Sequence, residues 1–189
     1  MATKIYIDQG HNPRDFNTGA EGNGLFEQDI TYTVGILLNR LLSSNPNFET
    51  RLSRPDDDTV RGTSNASSLS SRVREANAWG ADIFLSLHTN ASTNPNATGS
   101  EALIYSNRST VARELATDIL EKMTEATGLR NRGIVERPGL YVLKETVMPA
   151  MIIEMGFISN PYDAELMSES PSLFARGIYN GILEYYDLD

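Results

Sequence analysis

The chain has 189 residues, which is about one domain at the usual ~150 residues each. Lys and Arg number 16 against 25 Asp and Glu, so the formal net charge is −9. That argues against nucleic acid as a partner, because binding a phosphate backbone needs a basic face. Apolar residues make up 40%, enough for one buried core, and the absence of Cys excludes disulfides, thiolate metal sites and thiol nucleophiles. Only two histidines are present, His11 and His88.

Lys4 to Asp8 is a predicted strand, followed by a loop holding Gly10, Gly19, Gly22 and Gly24. From Glu27 the apolar period changes: Ile30, Val34, Leu37, Leu38 and Leu41 share one face of a helix, which Asn45-Pro46-Asn47 ends. Phe48 to Ser53 is expected as a strand and residues 55–67 as a loop. Leu69 to Trp79 follows as a helix, with Gly80 at its C-terminal cap. Ile83 to Leu87 has the continuous apolar character of a buried strand. A polar loop over 92–99, a strand from Glu101 to Tyr105 and a helix carrying Val111, Leu115, Ile119 and Met123 come next. Strands at Leu140–Leu143 and Ala150–Ile153, with a turn around Pro149, precede a last helix over 171–186. The order β-α-β-α-β-β-α-β-β-α predicts a single α/β domain over 1–189, a twisted, mostly parallel sheet of about six strands with helices on both faces. Asn-x-Ser/Thr sequons begin at Asn65, Asn90, Asn96 and Asn107, as expected in so polar a chain.

Sheets of this kind hold ligands at the carboxyl ends of their strands. The first strand ends Asp8-Gln9-Gly10-His11, the buried strand ends in His88-Thr89-Asn90, and the strand at 150–153 is followed by Glu154-Met155-Gly156. Glu27 opens the first helix and reaches the same edge. Two imidazoles and one carboxylate form the His₂Glu set of a catalytic zinc, with the fourth position left for water. Glu154 follows four apolar residues and is the candidate acid/base. Plainer readings stand beside these. A histidine at a strand end is often only hydrogen-bonded, Glu27 suits any helix N-terminus, and Glu101 at the start of a strand reads as structural. No Gly-Lys-Ser/Thr loop, dinucleotide fingerprint or Gly-x-Ser-x-Gly elbow is present.

From Lys4 to Tyr186 the chain resembles the zinc-dependent N-acetylmuramoyl-L-alanine amidases of type 3. The resemblance is carried by Ile7-Asp8-Gln9-Gly10-His11, by Thr18-Gly19-Ala20 through Glu27, and by Ser71-Arg72-Val73 with Ala76-Asn77. It continues through Ala81 to Ala91, Asn131-Arg132-Gly133, Leu140 to Thr146, Pro149-Ala150 and Glu154 to Asn160. It implies one Zn²⁺ held by His11, Glu27 and His88, with Glu154 catalytic. The implied reaction is cleavage of the amide between N-acetylmuramic acid and the L-alanine of the peptidoglycan stem peptide. Gln9 stands where the family usually has Pro, and Asn12-Pro13 replaces its usual Gly. No inhibitory insertion is expected between 144 and 154, which implies an open site. Asn90, Arg132 and Arg137 are candidates to hold stem-peptide carboxylates or carbonyls.

Two alternatives are a catalytically weak wall-binding module and another zinc hydrolase, a peptidase or a deacetylase, on the same site. No secretory signal and no membrane span are expected. Action on the cell wall then implies export within a longer chain or release by phage lysis. The charge of −9 leads us to expect a wall-binding domain or partner that supplies targeting.

Overall fold

The computed structural model describes residues 1–106 and 110–188, so the sequon at Asn107 lies outside the described residues. Its elements are, in order, β1 (Thr3–Gln9), β2 (Glu21–Gly22), β3 (Leu25–Phe26), α1 (Glu27–Ser43), β4 (Phe48–Leu52), α2 (Asn65–Trp79), β5 (Ile83–Asn90) and β6 (Ser100–Ile104). They continue with α3 (Thr110–Thr127), β7 (Asn131–Glu136), α4 (Tyr141–Glu145), β8 (Ala150–Phe157), α5 (Pro161–Glu169) and α6 (Pro171–Tyr185). Six strands form one sheet in the order β4-β1-β5-β8-β6-β7, and β2 pairs with β3 in a small hairpin. β4, β1, β5 and β8 are mutually parallel; β6 runs antiparallel to β8 and β7 parallel to β6. The α/β class and the mostly parallel sheet are therefore as expected. Among the described residues no helix is long and apolar enough to cross a membrane.

Alternation along the strands sorts the core into two layers. Ile5, Ile7, Leu85, Leu87, Met151 and Ile153 face α1, α3 and α6. Tyr6, Phe84, Ile152 and Leu103 face the other way, against Val73 and Ala76 of α2 and Val142 and Leu143 of α4. On this second face α2 and α4 bury Tyr6, Phe84, Leu103 and Ile152, while His88 and Glu154, further along their strands, stay partly exposed. Asp8, His88, Glu154 and Glu101 share the parity of that face.

Several expectations are corrected. Leu140–Leu143 is not a strand: Tyr141–Glu145 form α4, and the strand is Asn131–Glu136. A run of four apolar residues does not separate strand from helix by period. Val142 and Leu143, neighbours in sequence, are both buried, as one side of a helical turn requires. Asn131–Glu136 is an edge strand with no fully buried residue, so it carries no apolar alternation. Helix α2 starts at Asn65, inside the expected loop, because Ser64 and Ser67 cap it reciprocally. The last strand runs on to Phe157, which puts Glu154 inside β8 rather than after it.

Candidate active site

His11 lies just beyond β1, where the chain must turn across the sheet edge. Its φ is 70°, a left-handed conformation uncommon outside glycine and often found at functional sites. Arg72 of α2 holds that turn. Its buried guanidinium donates to Asp8 Oδ1 at 2.5 Å, to the carbonyls of Gln9 and His11 at 2.6 Å each, to Ser53 Oγ at 3.1 Å and to Asn12 Oδ1 at 3.2 Å. Asp8 in turn accepts from Ser86 Oγ at 2.8 Å. Burial opposes ionisation of Asp8, but Arg72 and Ser86 outweigh it and hold the pKa below the usual carboxylate value.

Glu27, at the first position of α1, reaches between the two histidines. Its Oε2 lies 3.2 Å from His11 Nε2 and its Oε1 3.0 Å from His88 Nδ1. The backbone N–H groups of Ala20 and Thr89 donate to the same carboxylate at 2.8 and 2.9 Å. Two glycines make this approach possible. A Cβ on Gly10 would fall 2.6 Å from the His88 ring, and one on Gly19 would fall 2.6 Å from Glu27 Cβ and 2.7 Å from its Oε2. Burial alone would raise the pKa of Glu27, but the hydrogen bonds and charges of the two imidazoles overcome it and hold the group well below the usual range. For His88 burial disfavours the imidazolium, and the Glu27 carboxylate more than reverses this, so its pKa is raised.

One ligand atom from each of His11, Glu27 and His88 lies within 4.8 Å of the others. Donors about 2.0–2.1 Å from a tetrahedral zinc are about 3.3 Å apart, close to the two carboxylate–imidazole distances. The histidine tautomer supports a cation as well. His11 Nδ1 is 3.2 Å from the carbonyl oxygen of Asn17, which can only accept, so Nδ1 carries hydrogen. With Nδ1 so engaged, Nε2 faces Glu27 Oε2, and a neutral ring would offer its lone pair there to a cation. Donation of the second ring nitrogen to a carbonyl is also the usual support of a metal-bound histidine. The residues present fit a zinc ion.

Glu154 stands beside His88 in the parallel register of β5 and β8, and opposite Glu101 in the antiparallel register of β8 and β6. Its Oε2 is buried with no hydrogen-bond partner among the described residues. Desolvation, against the opposing charge of His88 and with the like charges of Glu27 and Glu101, pushes its pKa up to about 7. Glu101, which the sequence marked as structural, holds the next residues in place. It accepts from Asn90 Nδ2 at 2.9 Å and from Arg132 Nε at 3.2 Å. Arg132 also donates to the Thr98 carbonyl at 3.2 Å and lies 5.0 Å over the Phe157 ring. Asn90 and Arg132 therefore belong to one network next to Glu154. Arg137 does not join it. Its backbone N–H bonds Ile104, which pairs with Met151, so it lies about 10 Å along the strands from the Glu154 row.

His11 and His88 also border a cleft of ≈ 120 Å³ lined by Asn17, Leu69, Leu140, Tyr141, Val142 and Ile152. The Arg72 network and the Glu101–Arg132 pair are what sequence reading missed. Both join residues far apart in the chain: Arg72 lies inside a predicted helix and Arg132 in no predicted element, so no local pattern marked either pairing.

A His₂Glu donor set beside a desolvated carboxylate at the carboxyl ends of an α/β sheet is the arrangement that metal-assisted hydrolases use. The chain belongs to the type 3 family of N-acetylmuramoyl-L-alanine amidases, whose family pattern matches residues 5–184. It is 38% identical over 188 residues to the N-acetylmuramoyl-L-alanine amidase CwlM of Bacillus licheniformis, covering 98% of this chain and 69% of that protein. Against the sporulation-specific N-acetylmuramoyl-L-alanine amidase of Bacillus subtilis the identity is 34%, with the same coverage. The crystal structure of an N-acetylmuramoyl-L-alanine amidase from Clostridium difficile superposes with a TM-score of 0.87 at 32% identity, covering 98% of this chain and 97% of that one.

Proposed function

We propose that this chain is a zinc-dependent peptidoglycan hydrolase. It cleaves the amide between N-acetylmuramic acid and the L-alanine of the stem peptide, acting on the cell wall, with residues 1–189 as one catalytic domain. The observation that carries the reading is the convergence of His11, Glu27 and His88 next to Glu154, in a chain of the amidase family. His11, Glu27 and His88 would hold the ion. Bound there, zinc supplies Lewis-acid polarisation of the scissile carbonyl and acidifies water. Glu154 takes the proton of the attacking water at its carboxylate and passes it to the departing alanine nitrogen. A pKa near 7 suits both halves of that transfer. Asn90 and Arg132, beside Glu154, contact the substrate near the cut, whereas Arg137 reaches only portions distant from it.

The test is digestion of purified peptidoglycan with the zinc-loaded chain, followed by mass spectrometry and amino-terminal analysis. New L-alanine amino termini with intact muramic acid are expected, along with one zinc per chain by elemental analysis. Released acetate would identify a deacetylase, cleavage inside the stem a peptidase, and a chain without zinc or products a binding module. Any of these overturns the reading.

A further inference from the structure

The two sides of the metal site differ in chemistry. Toward α4, the cleft beside His11 and His88 is walled by Leu69, Leu140, Tyr141, Val142 and Ile152. Arg72 also borders it, but donates to five acceptors already. Toward β7 stands Arg132, whose guanidinium is fixed on three sides: Nε by Glu101, Nη1 by the Thr98 carbonyl and one face by the Phe157 ring. No hydrogen bond from Nη2 to a described residue accompanies these contacts, and the side chain is 34% exposed. A guanidinium locked through Nε and stacked on a ring has lost its rotamer freedom before any ligand arrives, and its free edge offers a fork to a carboxylate. Glu101 pairs with Glu154 in the metal-site row and Phe157 pairs with Asn90, two residues beyond His88 on β5, so this fork lies between that row and a point about 7 Å past it along the strands.

The substrate of the proposed reaction is equally asymmetric. Once the lactyl carboxyl of muramic acid is in amide linkage, the sugar side is uncharged and presents methyl groups. The remaining carboxylates lie on the stem peptide, the first of them on its second residue, where it occurs either free or as a carboxamide. We propose that the groove sets the direction of the substrate. Arg132 docks the carboxylate of the second stem residue, and the cleft under Leu140 and Tyr141 takes the muramoyl side. The peptide therefore leaves toward β7 and the glycan toward α4. Arg132 is then the residue that selects the carboxylate form over the carboxamide. This rests on the amidase reading.

Two synthetic muramoyl tripeptides, alike except for carboxylate or carboxamide at the second stem residue, test it with the zinc-loaded chain. The wild type should show the lower KM for the carboxylate. Arg132→Gln should raise that KM about 10- to 100-fold, the worth of a charge-assisted pair, and leave the carboxamide KM within about twofold. Arg132→Lys keeps the charge without the fork, and should fall between the two. Tyr141→Ala should raise KM for both substrates by the same factor, because the side it lines does not meet the carboxylate. Equal losses on both substrates for both Arg132 variants, or a carboxylate-dependent loss for Tyr141→Ala, would overturn the orientation while leaving the amidase reading intact. Cleavage of neither substrate by the wild type would sink both.

Discussion

Glu154 is where function and stability pull in opposite directions. Its carboxylate stands in a desolvated spot, beside His88 but also facing Glu101, and one oxygen has no hydrogen-bond partner among the described residues. Glu154→Gln keeps the shape and removes the proposed proton acceptor. Turnover should fall about 10²- to 10⁴-fold while zinc content stays at the wild-type value, as read by product release and elemental analysis. The pKa near 7 also makes a stability statement. A folded value above the unfolded one, near 4.3, means that ionising this group costs stability as pH climbs from the unfolded value through the folded one. The metal-free Glu154→Gln chain should therefore melt above the metal-free wild type at pH 8, with the gap narrowing toward pH 5. A wild type that melts higher at pH 8 would contradict the desolvated environment. Gly19 bears on the proposed ligand next to it, Glu27. An added methyl would meet the Glu27 side chain at 2.6 Å, so Gly19→Ala should weaken zinc binding about 10- to 100-fold in chelator competition. Unchanged affinity would mean that the carboxylate has room to move, against the close fit described.

At the scale of elements, α2 and β1 are joined by one buried ion pair, and the turn bearing His11 hangs from it. Removing one partner of such a pair leaves the other charge buried alone, at a cost of about 3–5 kcal/mol. Arg72→Met should lower the urea midpoint accordingly, and adding Asp8→Asn should recover part of the loss because the two changes are coupled. Asp8 has a lowered folded pKa, so its contribution is complete above the unfolded carboxylate value and is lost as pH falls through the folded one. The same elements show what a sequence can and cannot tell. Helices α1, α3 and α6 were legible because each buries one stripe against the sheet, and β1 and β5 because they are buried on both faces. β7 was not, since an edge strand has half its polar backbone in solvent and no need for apolar alternation. α5 was missed despite a full set of local signals, with Asn160 as cap, Pro161 in the first turn and Asp163 behind it. His11, Glu27 and His88 stood out because rare ligand types fell at strand and helix ends. The grip of Glu101 on Asn90 and Arg132 depends on an antiparallel register that no local pattern encodes.

Across the whole molecule, the three proposed ligands tie together the loop after β1, the start of α1 and the end of β5, segments as far apart in the chain as residues 11 and 88. None of these segments keeps its position in the unfolded chain, so an ion bound there binds the folded state alone, and its binding energy adds to folding stability. At a free zinc concentration 100 times the dissociation constant, the gain is about 2.7 kcal/mol. For a chain of this length each kcal/mol moves the melting temperature by roughly 2–4 °C, so saturating zinc should raise it by about 5–11 °C. His88→Ala should melt near the metal-free wild type and lose the zinc-dependent increment. Arg137→Ala, changed at the far end of β7, should keep it in full. A wild-type melting temperature indifferent to zinc, or an increment that survives His88→Ala, would show that the ion does not join these three segments, and the site would then be a hydrogen-bonded His-Glu-His cluster of the fold.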